Sequence, residues 1–247
     1  MNKNWTHQNF IIHEFEELES TNSHAFELAS LGKISDHEII FARKQSGGRG
    51  RKNRSWVSPE GNLYFSLILR PKISAEKLSQ LSFLGIAALN EMVKKVSHKT
   101  SAIIENKWPN DLLLDGKKIA GSLLESKISG GNSEFAVLGI GLNLTSNPDN
   151  TIFPATNLLE AGVDLSAESA LKNFLDEFEK IYQNWLNFGF AGIRNLWLRN
   201  AFSLGKEIKV TLDEQPLRGI FEDLDLEGNL LLRSGEKIVK ISVADVS

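Results

Sequence analysis

Residues 38–69 read Glu-Ile-Ile-Phe-Ala-Arg-Lys-Gln-Ser-Gly-Gly-Arg-Gly-Arg-Lys-Asn-Arg-Ser-Trp-Val-Ser-Pro-Glu-Gly-Asn-Leu-Tyr-Phe-Ser-Leu-Ile-Leu. Two apolar runs, residues 38–42 and 63–69, flank a basic segment rich in glycine. Short runs carrying isoleucine, phenylalanine and tyrosine predict strands, so the basic segment is the connection that two strands hold up. Residues 43–56 place six cations and no carboxylate in fourteen positions of a chain whose formal net charge is -3. Glycines at 47, 48 and 50 let the backbone adopt positive φ and bring its N–H groups close to a ligand. Arg49, Arg51, Lys52 and Arg54 offer charge-assisted hydrogen bonds to phosphate or carboxylate oxygens. Three readings stand at this point: a loop that holds an anion, an arginine-glycine segment that binds RNA, and a solvated hairpin.

Outward from this segment the pattern alternates strands and helices. Residues 10–18 alternate apolar and polar as a half-buried strand does, and Ser20-Thr21-Asn22-Ser23 supplies a choice of N-caps for a helix through Leu28 and Leu31. Downstream, Ser74 is placed to cap a long helix with Leu78, Leu81, Leu84, Ala88, Leu89, Met92, Val93 and Val96 at apolar positions. Further strands are expected at residues 102–105, 112–114, 118–125 and 135–144, with Asp115-Gly116 as a tight hairpin turn. Gly139 and Gly141 interrupt the last of these. Glycine weakens a strand interior, so the pair predicts that a ligand or another backbone lies close against that face. From Ser166 a helix carries Leu171, Phe174, Leu175, Phe178, Ile181, Tyr182, Trp185 and Leu186 on one stripe, read as packing surface, and a second helical stretch runs to about Asn200. The chain then switches to short strands at residues 207–212, 217–224, 230–233 and 237–243. Asp213-Glu214-Gln215-Pro216, Glu227-Gly228-Asn229 and Ser234-Gly235 separate them. The expected organisation is α+β: one domain over residues 1–200 and a small all-β unit over residues 201–247.

Composition removes several function classes. With 247 residues and 41% hydrophobic content the chain can bury a real core. No run approaches the roughly 18 apolar residues of a membrane span, and no signal-peptide core follows the first residues, so a cytoplasmic location is expected. The absence of cysteine excludes disulfides, thiolate metal sites and transfer through a thioester. A pI near 6.0 argues against a dedicated nucleic-acid binder, which makes the basic segment a local device. Histidines at 7, 13, 24, 37 and 98 lack metal-ligand spacing and are read as structural.

A second cluster is Glu105-Asn106-Lys107-Trp108-Pro109-Asn110-Asp111. Lys107 ends an apolar strand beside a stiff Trp-Pro pair, so its ammonium is aimed rather than merely solvated. Asn110 and Asp111 add oxygen donors that suit magnesium carrying a nucleotide phosphate. The plainer reading is a capped turn, because Pro-Asn-Asp is good turn chemistry. Lys117-Lys118-Ile119-Ala120-Gly121 and Gly139-Ile140-Gly141-Leu142-Asn143 each combine close-approach glycines with a polar group; neither matches a dinucleotide fingerprint or a P-loop. Ser20 shows no His-Asp partnership, so it reads as a cap that can donate to a ligand carbonyl rather than as a nucleophile.

Taken in order, Ser20-Thr21-Asn22, Gln45, Gly48-Arg49-Gly50-Arg51 with Trp56, Lys107-Trp108-Pro109-Asn110-Asp111, Lys118-Ile119-Ala120-Gly121 and Gly139-Ile140-Gly141-Leu142-Asn143 resemble the biotin-protein ligases, in the short form without an amino-terminal DNA-binding domain. The resemblance implies a mixed sheet like that of class II aminoacyl-tRNA synthetases, with helices on one side, followed by an SH3-like domain. It also implies a two-step reaction. The biotin carboxylate attacks the α-phosphate of magnesium-bound ATP to give biotinyl-5'-AMP, and a lysine of a biotin carboxyl carrier domain then takes the biotin. No enzyme nucleophile is needed, in keeping with the missing cysteines. Like-charge repulsion is the obstacle to the first step, and each charge-assisted hydrogen bond offsets roughly 1.5 to 3 kcal/mol of it.

On this resemblance Ser20, Thr21, Asn22 and Gln45 would hold the ureido ring, and Arg49, Gly50 and Arg51 would close over biotin and the adenylate. Lys107, with Arg51 the catalytic pair, would bind the oxygens around the reacting carboxylate and α-phosphate; Gly121 and Gly141 would leave room for biotin. Arg49, Arg51, Arg54, Trp56, Asn110, Asp111, Lys118 and Asn143 would serve the nucleotide, with Asp111 the magnesium contact through ATP. The loop is expected to be mobile when empty and ordered over biotinyl-AMP. Two departures stand out. Lys52-Asn53 replaces a second arginine-glycine pair, and asparagine tolerates the left-handed region, so the loop shape should persist. An adenine-stacking aromatic is expected after residue 143, where Phe153 is the candidate. The nine residues before Phe10 leave no room for a helix-turn-helix, so operator binding and nucleic-acid partners are not expected, and the enzyme would act as a monomer or homodimer. A lipoate- or octanoate-protein ligase of the same superfamily and a non-catalytic biotin or nucleotide sensor are the alternatives.

Overall fold

The computed structural model describes residues 3–149, 151, 153–212, 215–242 and 244–246. In chain order it contains β1 (Lys3–His7), β2 (Phe10–Leu18), α1 (Thr21–Ser30), β3 (Glu38–Gln45), β4 (Leu63–Leu69), α2 (Gln80–Val96), β5 (Ile104–Lys107), β6 (Asp111–Leu114), β7 (Lys117–Ser129) and β8 (Asn132–Leu142). There follow α3 (Ala167–Phe188), α4 (Phe190–Leu198), β9 (Glu207–Leu212), β10 (Gln215–Leu224), β11 (Leu230–Ser234), β12 (Lys237–Ile241) and β13 (Asp245–Val246). The two apolar runs that bracket the basic segment are β3 and β4, antiparallel neighbours near the middle of an eight-stranded sheet ordered β1-β2-β3-β4-β8-β7-β6-β5. Only the β2–β3 pair is parallel, because α1 crosses over between them; the other neighbours are antiparallel. Every residue of β4 is buried, as a run apolar but for Ser66 requires of a strand covered on both faces.

Strand alternation divides the sheet into two unlike faces. Leu63, Phe65, Leu67, Leu138 and Leu142 join α2, α3 and α4 in the main core, where Phe65 meets Phe174 at 5.0 Å and Phe83 meets Trp197 at 5.4 Å. Ile40, Ile68 and Val137 point the other way and bury Ala25 and Ala29 of α1. The helices are therefore split between the faces rather than gathered on one side. A parallel pair needs a crossover, and this one covers the face that the long helices leave open. It covers only part of that face, and the remainder is where the glycines of β8 lie.

Three local expectations change. Ser74 does not cap α2: its side chain makes no capping bond, a 3-10 turn occupies Ala75–Lys77, and the α-helix begins at Gln80. The i-to-i+3 bonds of Lys77, Leu78 and Leu81 to Ser74, Ala75 and Leu78 tighten the entry to the helix instead. Leu186 is 50% exposed: it lies off the buried stripe of α3, whose last member is Trp185. Strand β1 has no apolar signal; pairing with β2 and a 3.0 Å bond from Trp5 Nε1 to Glu14 Oε2 hold it.

The terminal unit is an antiparallel sheet ordered β12-β11-β10-β9-β13 around Val210, Phe221, Leu230 and Leu232. Asp213, Glu214 and Val243, named above in a turn and a strand, lie outside the described residues. Trp108 Nε1 donates to Gly228 O at 3.1 Å, which docks this sheet against the turn after Lys107.

A ring contact of His37 with Tyr182 packs α3 against the crossover, beside a local ion pair. His37 Nδ1 lies 3.2 Å from Asp36 Oδ1, with its ring between Phe10 and Tyr182. The hydrogen bond it donates to Asp36 raises the imidazole above its usual 6.5, against the opposing effect of burial. Burial alone would push the Asp36 carboxyl up, but the His37 bond and charge and two backbone N–H groups outweigh it and lower it below 3.8. His37 thus contributes stability below its ordinary value and loses it as pH rises through the raised one; Asp36 contributes above its ordinary value and loses it as pH falls through the lowered one. In urea titrations the stability lost on His37→Gln should accordingly be larger at about pH 5.5 than at about pH 9. An equal loss at both would show that the pair is not linked to folding.

Candidate functional site

The site grows from the junction of β2 and α1. Ser20 is the N-cap: its Oγ accepts from the Ser23 N–H at 3.4 Å. The next residue points its backbone N–H and hydroxyl at Gln45 Oε1, at 2.8 and 3.2 Å, from the end of the neighbouring parallel strand. Gln45 Nε2 donates to Ser58 Oγ at 2.9 Å, and Ser58 in turn donates to the Trp56 carbonyl. Ser66, wholly buried on β4, lies 2.9 Å from Thr21 Oγ1 and 2.8 Å from Asn22 Oδ1. Ser20, Thr21 and Asn22 are each under 5% exposed, so this end of the site is a buried and ordered set of donors and acceptors.

The β8 glycines are required by side chains. A Cβ at Gly139 would stand 2.3 Å from Asn22 Oδ1, and one at Gly141 would stand 2.6 Å from the Trp56 indole. The close approach is thus made by Asn22 and Trp56 rather than by another backbone. At Gly121 a Cβ would meet Asp111 Oδ1 at 3.2 Å and Lys118 Nζ at 3.3 Å, a pair joined at 2.6 Å. The room that the resemblance assigns to biotin at Gly121 and Gly141 is shared here with that ion pair and the indole.

The basic segment is a hairpin. Trp56 N donates to Gly48 O at 2.8 Å and Gly50 N to Arg54 O at 2.6 Å, with Lys52 and Asn53 at φ 53° and 57°. Lys52 and Asn53 both take the left-handed region, so the loop turns without a glycine there. Its tip is exposed, as in the solvated-hairpin reading, while its flanks face inward. Arg51 Nη1 donates to Asn110 Oδ1 at 3.0 Å, and Asn110 Nδ2 donates to Ser122 O, locking the loop to the turn after Lys107. Arg49 Nη2 donates to Glu125 Oε2 at 2.5 Å.

Lys107 ends β5, is 6% exposed, and places Nζ 3.3 Å from the centroid of the Phe153 ring. Residues 108–110, with a cis Trp108–Pro109 bond, turn the chain into β6, where Asp111 pairs with Lys107. The turn reading and the site reading therefore describe the same segment. Asn143 is 2% exposed; its Nδ2 donates to Thr156 O at 3.1 Å, while its Oδ1 and the Trp56 Nε1 have no partner among the described residues. An unpaired buried acceptor or donor costs about 1 to 3 kcal/mol unless a ligand or water supplies the bond.

Ser20, Thr21, Asn22, Gln45, Arg49, Gly50, Arg51, Arg54, Trp56, Lys107, Asn110, Asp111, Lys118, Gly121, Gly141 and Asn143 all line one cavity of about 750 Å³, together with Phe153. Five of its lining residues are cations, Arg49, Arg51, Arg54, Lys107 and Lys118, against the carboxylates Asp111 and Asp149. One end is neutral and rich in hydrogen bonds and the other is strongly cationic, which suits an elongated ligand with an amide-like head and an anionic tail. No group of three or more histidine or acidic side chains that could hold a metal occurs among the described residues, and Asp111 is paired with Lys118. Such a donor set fits a magnesium ion carried on phosphates rather than one caged by protein.

Several contributors carry no strong signal in the sequence. Ser66 looks like an ordinary strand residue. Glu125 is a lone carboxylate in a strand, although two-residue periodicity from Gly121 and Leu123, both cavity-lining, puts it on their face. Thr211 and Val246 border the cavity from the terminal sheet, which no local pattern announces.

The model of the biotin/lipoate A/B protein ligase family matches residues 14–143, and that of the biotin protein ligase C-terminal domain matches residues 203–247. The chain is 37% identical to a biotin--[acetyl-CoA-carboxylase] ligase of Paracoccus denitrificans, over 90% of this chain and 94% of that protein. It is 34% identical to a bifunctional ligase/repressor BirA of Bacillus subtilis, over 97% of this chain and 74% of that protein. Among solved structures it is similar to a biotin protein ligase of Aquifex aeolicus in complex with biotin and ATP. The TM-score is 0.79 and the identity 28%, covering 96% of this chain and 97% of that chain.

Proposed function

This chain belongs to the biotin/lipoate A/B protein ligase family, and from that premise we propose how its cavity carries out biotin-protein ligation. The enzyme joins biotin to ATP as biotinyl-5'-AMP and passes the biotin to a lysine of a biotin carboxyl carrier domain. In the first step a biotin carboxylate oxygen bonds to the α-phosphorus and pyrophosphate leaves. In the second the neutral lysine amine bonds to the activated carbonyl, AMP leaves, and the amine gives up a proton.

The observation that carries this reading is the meeting, in one cavity, of the buried Ser20-Thr21-Asn22-Gln45 set with Arg49, Arg51 and Lys107. Serving a ureido ring requires donors and acceptors together, and the first set has both. Bringing a carboxylate against a triphosphate requires fixed positive charge where the negative charges meet, and the second set supplies it. Lys107 is placed for the reacting oxygens, and Arg49, Gly50 and Arg51 close over the bound adenylate. Gly121 and Gly141 line the biotin end, while Arg54, Trp56, Asn110, Asp111, Lys118 and Asn143 serve the nucleotide. The unpaired Asn143 Oδ1 and Trp56 Nε1 are available to it, and Phe153 is an aromatic face for the base. Magnesium, with Asp111 as its protein contact, would neutralise phosphate charge.

We further take residues 1–200 as the catalytic domain and residues 201–247 as a terminal domain that closes one side of the cavity, a division supported by Thr211 and Val246 at its border. No helix among the described residues is long and apolar enough to cross a membrane, which suits a cytoplasmic acceptor.

The test is exchange of labelled pyrophosphate into ATP by the pure protein. Exchange should depend on biotin. Binding without exchange would make the protein a sensor, and exchange driven by lipoate or octanoate instead would move it to the other branch of the family.

A further inference from the structure

Glu125 stands on β7 just beyond the cavity wall, two residues after Leu123 and four after Gly121. Its Oε2 accepts two hydrogen bonds, from Asn22 Nδ2 at 2.7 Å and from Arg49 Nη2 at 2.5 Å. The donors come from distant parts of the chain, 103 and 76 residues away. One carboxylate oxygen thus joins the start of α1 to the first inward arginine of the basic hairpin.

The bond to Asn22 is more than a surface contact. Asn22 is 4% exposed, its Oδ1 is bonded to the wholly buried Ser66, and its amide is therefore held at both ends. An isolated exposed ion pair between Glu125 and Arg49 would contribute little, since solvent screens it. Here the same carboxylate is anchored through Asn22 and Ser66 to the middle of the sheet, so the position it imposes on Arg49 is referenced to the core. Gly139 is part of the same device, because a side chain there would displace the Asn22 amide.

We propose that Glu125 is the positioning residue of the biotin half of the site: one carboxylate sets the Asn22 amide for the ligand's head and aims the Arg49 guanidinium at its carboxylate. The proposal rests on the ligase reading. Asn22 belongs to the biotin end alone, and Arg49 closes over both ligands, so the effect should fall mainly on biotin and only weakly on ATP.

The full chain carrying Glu125→Ala should show a biotin KM raised by about tenfold in pyrophosphate exchange, with the ATP KM within about twofold and little change in thermal unfolding. Glu125→Gln keeps an acceptor of the same shape without the charge and should show a smaller rise, about threefold. Should the alanine variant fold poorly, the glutamine variant carries the test. Arg49→Ala should cost less in the Glu125→Ala background than in the parent, because the two act as a unit. Titration calorimetry with biotin alone reads the same residue without turnover. A parent that binds biotin but does not exchange would sink the ligase reading, and the calorimetric ratio would still decide this one. An unchanged biotin affinity, an equal rise in both KM values, or strict additivity with Arg49→Ala would overturn it, as would a parent that binds no biotin.

Discussion

Lys107→Ala should lower biotin-dependent pyrophosphate exchange by about 10²- to 10³-fold, the scale seen when one fixed electrostatic contact to a developing charge is removed. The ammonium ends a strand whose preceding residue, Asn106, is wholly buried and bonded through both of its backbone groups, to Asn200 O and from Phe202 N, and both ends of its side chain. Phe153 covers one side of the ammonium. The charge is therefore held where it acts, in a setting drier than bulk water. Lys107→Arg should not restore the rate, because a planar guanidinium at a 6% exposed position must displace the Phe153 ring. Exchange assays on both variants, with melting curves to confirm folding, check this. Activity within about tenfold of the parent in the alanine variant would remove Lys107 from the chemistry.

Arg51→Ala should slow adenylate formation by about ten- to a hundredfold and release biotinyl-AMP into solution. Two losses combine. A cation that faces the phosphates is gone, and so is the 3.0 Å bond to Asn110 Oδ1 that pins the hairpin to the turn after Lys107. Asn110 is itself bonded to Ser122 O, so Arg51 ties its side of the loop to β7 through that asparagine, beside the separate tie from Arg49 to Glu125. A loop freed from that tie admits water to a mixed anhydride and lets it escape. Chromatography of the nucleotide after a single turnover separates enzyme-bound from free adenylate. A variant that retains the adenylate as tightly as the parent would rule out closure by this loop, even if its rate fell.

Most of the cavity wall is legible in the sequence because its residues carry local signals. Glycines at 50, 121 and 141 stand where ordinary residues would pack, Arg49, Arg51 and Arg54 crowd one basic loop, and Lys107 breaks the apolar pattern of the strand that carries it. The strands were equally readable where apolar runs were long, as in β4, or where a turn was chemically marked, as at Asp115-Gly116 with φ 49° and 73°. Strand β1 was not, since its stability comes from partners rather than from its own composition. Ser74 and Leu186 misled for the same reason: a capping residue and an apolar stripe announce a helix but not where the surrounding core ends.

Glycine at 139 shows the limit most clearly. Its presence signals a close approach, yet only the folded sheet reveals that Asn22, 117 positions earlier, is what approaches. Glu125 carries no local mark beyond the strand periodicity that sets it on the face of Gly121 and Leu123, and its meaning lies in two donors brought to one oxygen by the order of the strands. By itself the sequence determined the strand and helix types, the positions of the turns and the kinds of charge available, because each depends on a few neighbouring residues. The helices' division between the two faces, the sharing of one turn by Lys107 and the cavity, and the linkage of Asn22 to Arg49 were decided only by tertiary structure. Strand order sets which distant residues meet, and hydrogen bonds of under 3 Å form only once it has.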